Sequence, residues 1–367
     1  MAKSEGVYGL SPLERGLKRF RRNRVALFSL WVLGILYAAA VFAGFFSPYD
    51  YDDERRDLSY HPPSRVHLFD AEGRFRGPFV YATSGKFDAF YRRAFIEDRA
   101  RLYPLRWFEK GAAYRVFGIL PFDRHLVRVD EPARLYLLGA DSRGRDLWTR
   151  TLFGAQVSLS IGLIGVAISF TIGLIVGGLS GYLGGRVDDV LMRVCEMMMM
   201  APGFYLLLAL RAAFPPQISS VQVYWLIVVI LSFIGWAGLA RVVRGLALSL
   251  RQREFVTAAR LSGRPTLAII TQHLIPNMAS YAVVAATLSV PGYILGETSL
   301  SLLGLGIQDP QASWGNLLSD AMGIAQLQFH PWILWPGFFI AITVMAYNFL
   351  GDGLRDAFDP RLEGSAR

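Results

Sequence analysis

The stretch RQREFVTAARLSGRPTLAIITQHLIPN, from Arg251 to Asn277, lies between two long apolar runs, 223–240 and 278–296, and is itself too polar to enter lipid. Helical spacing places Phe255, Ala258, Ala259 and Ser262 on one face, with Glu254 and Thr257 in the same short helix, from about 254 to 262. Gly263 suits the left-handed residue that ends such a helix, and Pro265 the first turn of a second one. Small side chains at 258 and 259 admit a close partner backbone, and Arg253, Arg260 and Arg264 surround them with positive charge. The chemistry available is docking. An amphipathic helix resting on the membrane surface fits the same spacing. Glu297 and Arg211 are ionisable groups in apolar surroundings, positions that mark pathways or buried pairs, although Arg211 is near enough to Pro215-Pro216 to snorkel to an interface. Met197–Met200 supplies four thioethers, but consecutive residues do not share a helical face, which favours packing or pathway lining over metal ligation. His61, His67 and His125 lack metal-ligand spacing, and Cys195 is the one cysteine, so no intrachain disulfide forms. No GxxxxGK[ST], HExxH or CxxC motif occurs. If ATP and Mg are used, another subunit binds them, and this chain is no enzyme.

The elements that must position these residues are membrane helices. The chain has 367 residues, 53% of them apolar, and a net charge of +9 that is concentrated in blocks. Seven Lys and Arg fall in 1–24 and are followed by the charge-free run Val25–Phe46, long enough for a first span. A cleaved signal peptide is the competing reading, but its apolar region is shorter than this run. Residues 47–138 have no run of that length. Pieces such as RVHLFD, RFRGPFVY, AAYRVFGIL and HLVRVD predict short strands and hairpins, with Arg92–Arg101 a candidate helix. Five further spans are expected at about 157–179, from about Val194, at 223–243, from Met278 with a break near Pro291-Gly292, and at 332–350 with an interruption at Pro336-Gly337. Lys and Arg number 2 in 180–193, 6 in 241–277 and 3 in 351–367, against none in 215–222 and 303–331. That asymmetry predicts both termini and the 241–277 loop in the cytoplasm, and 47–138 outside. The division expected is a basic N-terminus with helix 1 (1–46), an extracytoplasmic insertion (47–138) and a core (139–367).

Several segments resemble the permease subunits of dipeptide, oligopeptide and nickel ABC importers of bacteria. Ala258, Ala259, Gly263 and Pro276 match the EAA-xxx-G loop with its distal I-x-L-P, while Thr257 replaces the glutamate, His273 the isoleucine and Ile275 the leucine. LGADSRGRDLWTRTLFGAQVSL is similar to the family's LGTDxxGRDxxSRxxYGxxxSL, in which Arg145 and Asp146 also fit a plain capped turn. GYLGGRVDDVLMRVCE resembles GYYGGxxDxxxMRxxD, and GETSLSLLGLGIQDPQASWG resembles ExSLSFLGLGxxPPxxSWG, with Glu297, Ser299 and Trp314 at matching positions. GDGLRDAFDPR is similar to the family's ending. Residues 47–137 have no counterpart in the resemblance.

The resemblance implies an all-α polytopic membrane protein of six helices, a type I ABC importer permease fold, with a small, mostly β insertion between helices 1 and 2. It implies a second homologous permease, two ATPase subunits or domains, and an extracytoplasmic binding protein, in a bacterial inner membrane. The 254–264 helix would then be the coupling helix, and Glu297, Ser299 and Trp314 would border the pathway for peptides, nickel or a related solute. For Glu297, a packed re-entrant turn competes with that reading. The insertion is expected to dock on, or cover, the binding protein or the partner permease. The alternatives are an ion-coupled secondary transporter, or a membrane-anchored receptor or assembly protein acting through 47–138.

Overall fold

The computed structural model describes residues 12–87, 93–116, 120–200, 202–215 and 218–358. The chain divides into two compact units, one of residues 1–33, 161–296 and 343–367, the other of 34–160 and 297–342. Several long helices run through both.

The chain opens with α1 (Pro12–Phe20), α2 (Arg24–Val41) and a short α3 (Ala43–Phe46). Asn23 starts α2 by accepting the Ala26 N–H, one of the donors a helix leaves unsatisfied at its N-terminus. Phe28, Trp31 and Ile35 stand exposed along α2, an apolar stripe suited to lipid. The first span is therefore α2, with Phe42 breaking the predicted run before α3.

The β-rich segment comprises β1 (His67–Phe69), β2 (Phe75–Phe87), β3 (Arg93–Pro104), β4 (Arg106–Val116) and β5 (Leu120–Arg128). β1, β2 and β3 form one antiparallel sheet, and β4 and β5 form a hairpin. Val80, Tyr103, Val127, Val129, Ala133 and Leu135 are a core shared by both. Of the helix expected at Arg92–Arg101, residues 93–101 are instead part of β3, and Arg92 lies outside the described residues. Alternation along Phe95, Glu97 and Arg99 and pairing with β2 outweighed its weak helical pattern. His61 bonds Thr83, His67 bonds Glu97, and His125 lies between the carbonyls of Ser47 and Ala112. All three are packed against protein groups.

α4 (Leu147–Leu183) is far longer than the predicted second span, because Asp146 starts it before the apolar run begins. α5 (Gly185–Met200) and α6 (Gly203–Ala212) meet at an 84° bend where Pro202 precedes α6, so the third span is a bent pair rather than one rod. Met198 packs beside Cys195 and Trp236, while Met197, Met199 and Met200 are exposed. Arg211 is 4% exposed in the last turn of α6 and is turned into protein, contrary to the expected snorkelling. α7 (Ser220–Leu250) begins with a Ser219–Gln222 capping box. Next come α8 (Glu254–Leu261), α9 (Thr266–Ile269), a π-helical turn at Ile270–Leu274 and α10 (Ile275–Leu302). The short α11 (Trp314–Leu317) and α12 (Ile324–Phe329) lead to α13 (Trp335–Phe358).

Two expected interruptions are absent. α10 continues through Pro291, and Pro336 lies in the first turn of α13, where a missing N–H costs nothing. Among the described residues, five helices are long and apolar enough to cross a membrane, and the bent α5–α6 pair is the candidate for a sixth. The protein is a multi-pass membrane protein with a small β-rich segment.

Candidate functional site

The 251–277 stretch folds as a tight elbow. Arg251 closes α7 by donating its N–H to the Ala247 carbonyl, and the Arg253 carbonyl accepts from Val256 and Thr257 as α8 begins. α8 ends at Leu261, one residue before the expected Ser262, and the predicted Gly263 is its left-handed residue. Gly263 has φ +75°, its N–H reaches the Arg260 carbonyl, and Arg264 N–H reaches that of Ala259. That pair of bonds is a Schellman cap, which requires a left-handed residue there. Pro265 precedes the first turn of α9 instead of entering it. The second short helix of the sequence reading is in fact the start of the long 266–302 span. Its π turn lies just before Pro276, where a wider turn relieves the clash between the ring and the preceding carbonyl.

One side of the elbow is buried. Val256 and Ala259 join Ile269, Ile270, Leu274, Val243 and Ala247 in a single apolar cluster. Arg260 lies over the Tyr182 ring, 5.3 Å from its centre, and Arg264 donates to Gln272 at 2.9 Å. The predicted face therefore splits. Ala259 points inward, whereas Glu254, Phe255, Thr257, Ala258 and Ser262 are exposed, as are Gly263 and Pro276. The sequence reading missed Leu261, which is 83% exposed. Its signal was available, since an apolar residue three positions after Ala258 continues the Phe255–Ala258 ridge.

A clamp beneath the elbow also went unread. Arg244 of α7 grips Asp188 of α5 with Nε and an Nη, and Ser180 donates to the same carboxylate. α4 comes so close to α7 that a Cβ on Gly181 would stand 2.5 Å from the Arg244 carbonyl. The apolar cluster and this clamp tie α4, α5, α7 and α8 together.

The other motif residues with polar chemistry lie in the second unit. Glu297, near the end of α10, has no exposed surface. Ser301 donates to its Oε1 at 2.6 Å and Ser158 to its Oε2 at 3.0 Å. Those hydroxyls in turn accept the N–H groups of Ile307 and Trp314. Trp314 is equally buried and donates Nε1–H to the Thr151 carbonyl. Glu297 is thus a node that organises the 303–317 loop. Of the three pathway candidates, Ser299 alone is partly exposed. α10 ends in a second Schellman cap, with Gly304 at φ +74°.

Arg145 and Asp146 do more than cap a turn. Arg145 bridges Asp141 (2.7 Å) and Asp309 (3.0 Å), and Arg150 donates to Asp309 at 2.8 Å. This clasp joins the loop before α4 to the loop after α10. Burial raises the Asp309 pKa, but Arg145 and Arg150 outweigh it and hold the carboxyl below its ordinary range. Asp146 accepts from the N–H and hydroxyl of Thr149, and burial pushes its pKa up to about 6. None of this resembles a catalytic centre. Each unit holds its own structural ties, and in the first unit α8 leaves Phe255, Ala258 and Leu261 exposed.

Comparison with known proteins identifies the family. The model of the family described as "binding-protein-dependent transport system inner membrane component" matches residues 169–364. The model for the N-terminal transmembrane domain of oligopeptide transport permease C matches residues 11–63. The chain is 46% identical over 227 residues to the oligopeptide transport system permease protein OppC of Haemophilus influenzae, covering 62% of this chain and 70% of that one. It is 30% identical over 354 residues to OppC of Bacillus subtilis, 96% of this chain and 91% of that one, so the relationship extends through the β-rich segment. The backbone likeness to the MetNI methionine ABC transporter is loose, with a TM-score of 0.43 and 16% identity over 58% of this chain and 97% of that one, and the assignment rests on sequence. Spanning helices, elbow and matched residues together mean that the chain belongs to the family of inner membrane components of binding-protein-dependent transport systems.

Proposed function

We propose that this permease is one half of the transmembrane pathway of an ABC importer for peptides, paired with a second homologous permease. In this reading two cytoplasmic ATPases bind ATP and Mg, and an extracytoplasmic binding protein delivers the cargo. The peptide assignment is supported by the relatives named above, and nickel or a related small solute is the other cargo class the motifs admit. Both termini and the elbow face the cytoplasm, which agrees with the charge asymmetry of the short loops.

One observation carries the mechanism. α8 is an eight-residue helix whose inner side is built into the ends of α4, α7 and the 266–302 span, while Phe255, Ala258 and Leu261 remain exposed. A push on that ridge moves membrane-length helices as a body, because a packed apolar cluster does not deform continuously. ATP-driven closure of the ATPases then reorients the helices between outward and inward access. Thr257 stands where the family has glutamate, so the contact depends on apolar fit and on Arg253 and Arg260 more than on a carboxylate. In the pathway, Ser299 is the group within reach of solute, while Glu297 and Trp314 order the 303–317 loop that follows.

The test is co-purification from gently solubilised membranes. Wild type should bring down both the ATPases and the second permease. An Ala258→Arg/Leu261→Arg variant, altered only on the exposed ridge, should lose the ATPases and keep the permease. If no ATPase accompanies wild type, or if the ridge variant retains it fully, the coupling assignment fails.

A further inference from the structure

The β4–β5 hairpin is fastened to the end of the first membrane helix. His125 Nδ1 lies 2.6 Å from the Ser47 carbonyl. Tyr114 covers Gly44 so closely that a Cβ there would meet its ring at 2.3 Å, and the Phe108 ring lies 6.1 Å from that of Phe45. The height of these contacts follows from α2. Counting from Val25, the first residue of the charge-free run, α2 reaches Val41 after about 24 Å, and residues 44–47 follow just beyond it, near the far boundary of a core about 30 Å thick.

At that height the hairpin exposes a set of side chains that an aqueous surface does not favour. Trp107 is 55% exposed, Phe108 56%, Leu120 61% and Phe122 48%. Phe42, just past the end of α2, is 43% exposed as well. Between these side chains stand Arg106, Lys110, Arg115 and Arg124, all exposed, and the whole 106–128 stretch has five Lys and Arg against two acids. Arg106 and Lys110 have acidic partners in Glu109, Asp130 and Asp123. An aromatic belt with interleaved cations at the hydrocarbon boundary is the composition that sits among lipid headgroups, with rings at the acyl edge and guanidinium groups on phosphate.

We infer that this hairpin lies on the membrane itself, its aromatic side chains inserted among anionic phospholipid headgroups, and that it braces the end of α2. A soluble partner of the hairpin would have to wedge between it and the headgroup layer, because Phe108 and Tyr114 already stand at the level of Phe45 and Gly44. The inference does not depend on the cargo or on the coupling ridge.

The experiment uses the full chain assembled with its partners, in vesicles of phosphatidylethanolamine and phosphatidylglycerol. A Phe122→Cys change, and separately Leu120→Cys, is made in a Cys195→Ala background and labelled with an environment-sensitive dye. The label should be quenched by lipid carrying a spin label near the headgroup, and iodide should quench it several-fold less than the free dye adduct in buffer. A label open to iodide and untouched by spin-labelled lipid overturns the inference. Shielding from iodide without lipid quenching also overturns it, since that marks a protein contact.

Discussion

At the scale of single residues, buried polar groups decide more than exposed ones. Glu297 accepts two hydroxyls that themselves hold loop N–H groups, so Glu297→Ala leaves Ser158 and Ser301 short of acceptors in a site without water access. The expected cost is about 3 kcal/mol, with Glu297→Gln closer to wild type because it keeps one acceptor. Thermal melting in detergent measures it, and equal melting of the Ala and Gln variants would contradict the node. Asp309→Asn weakens both Arg145 and Arg150, at a cost of about 2 kcal/mol, since Asp309 is 35% exposed and partly screened. Asp309 sits below its unfolded pKa, so its contribution is present above the ordinary carboxylate range and is lost as pH falls through the folded value. Asp146 has the opposite sign. Raised from 3.8 to about 6 by burial, it stabilises fully below the unfolded value, and that contribution is lost as pH rises through about 6. Asp146→Asn keeps a capping oxygen without charge, so it should melt above wild type near pH ~7.5 and alongside it near pH ~3. A gap independent of pH would refute the burial argument.

At the scale of elements, the elbow depends on its cap. Gly263→Ala imposes a left-handed conformation on a residue with a Cβ, costing about 1 kcal/mol, in a place where no neighbour comes within 4 Å. Melting should fall slightly, and any larger loss of ATPase co-purification would mark α8's orientation as the sensitive variable. Gly181→Val is expected to be far more damaging, because its side chain meets the Arg244 carbonyl and separates α4 from α7. The expected readout is loss of the folded chain from size-exclusion profiles, and a well-folded Gly181→Val protein would mean that the two helices have room to part. The β3 strand teaches a related lesson. Its residues pair with β2 along most of their length, and long-range pairing overrode the local tendency that had suggested a helix.

For the whole molecule, membership in a transport-component family and a multi-pass fold were legible from apolar runs, charge asymmetry and ordered motifs, because length and hydropathy dictate what can cross lipid. The start and stop of α8 were legible too, since a left-handed glycine is a local requirement. What sequence could not supply was direction. Whether Ala259 faces a partner or the core depends on how α8 docks on Ile269, Ile270 and Val243, and helical spacing alone rotates freely about that choice. Pro291 and Pro336 read as breaks, but neighbours and position in the turn absorb them. For Glu297 the sequence left a pathway position and a packed turn side by side, because its two serine partners lie at 158 and 301, one of them far along the chain. The Arg145–Asp309 clasp and the Asp188–Arg244 clamp join residues 164 and 56 positions apart. Sequence therefore determined the elements and their family, through interactions within a few residues. Tertiary structure alone decided which faces are buried and which charges are paired, because burial and pairing are set by groups that meet only after the chain has folded.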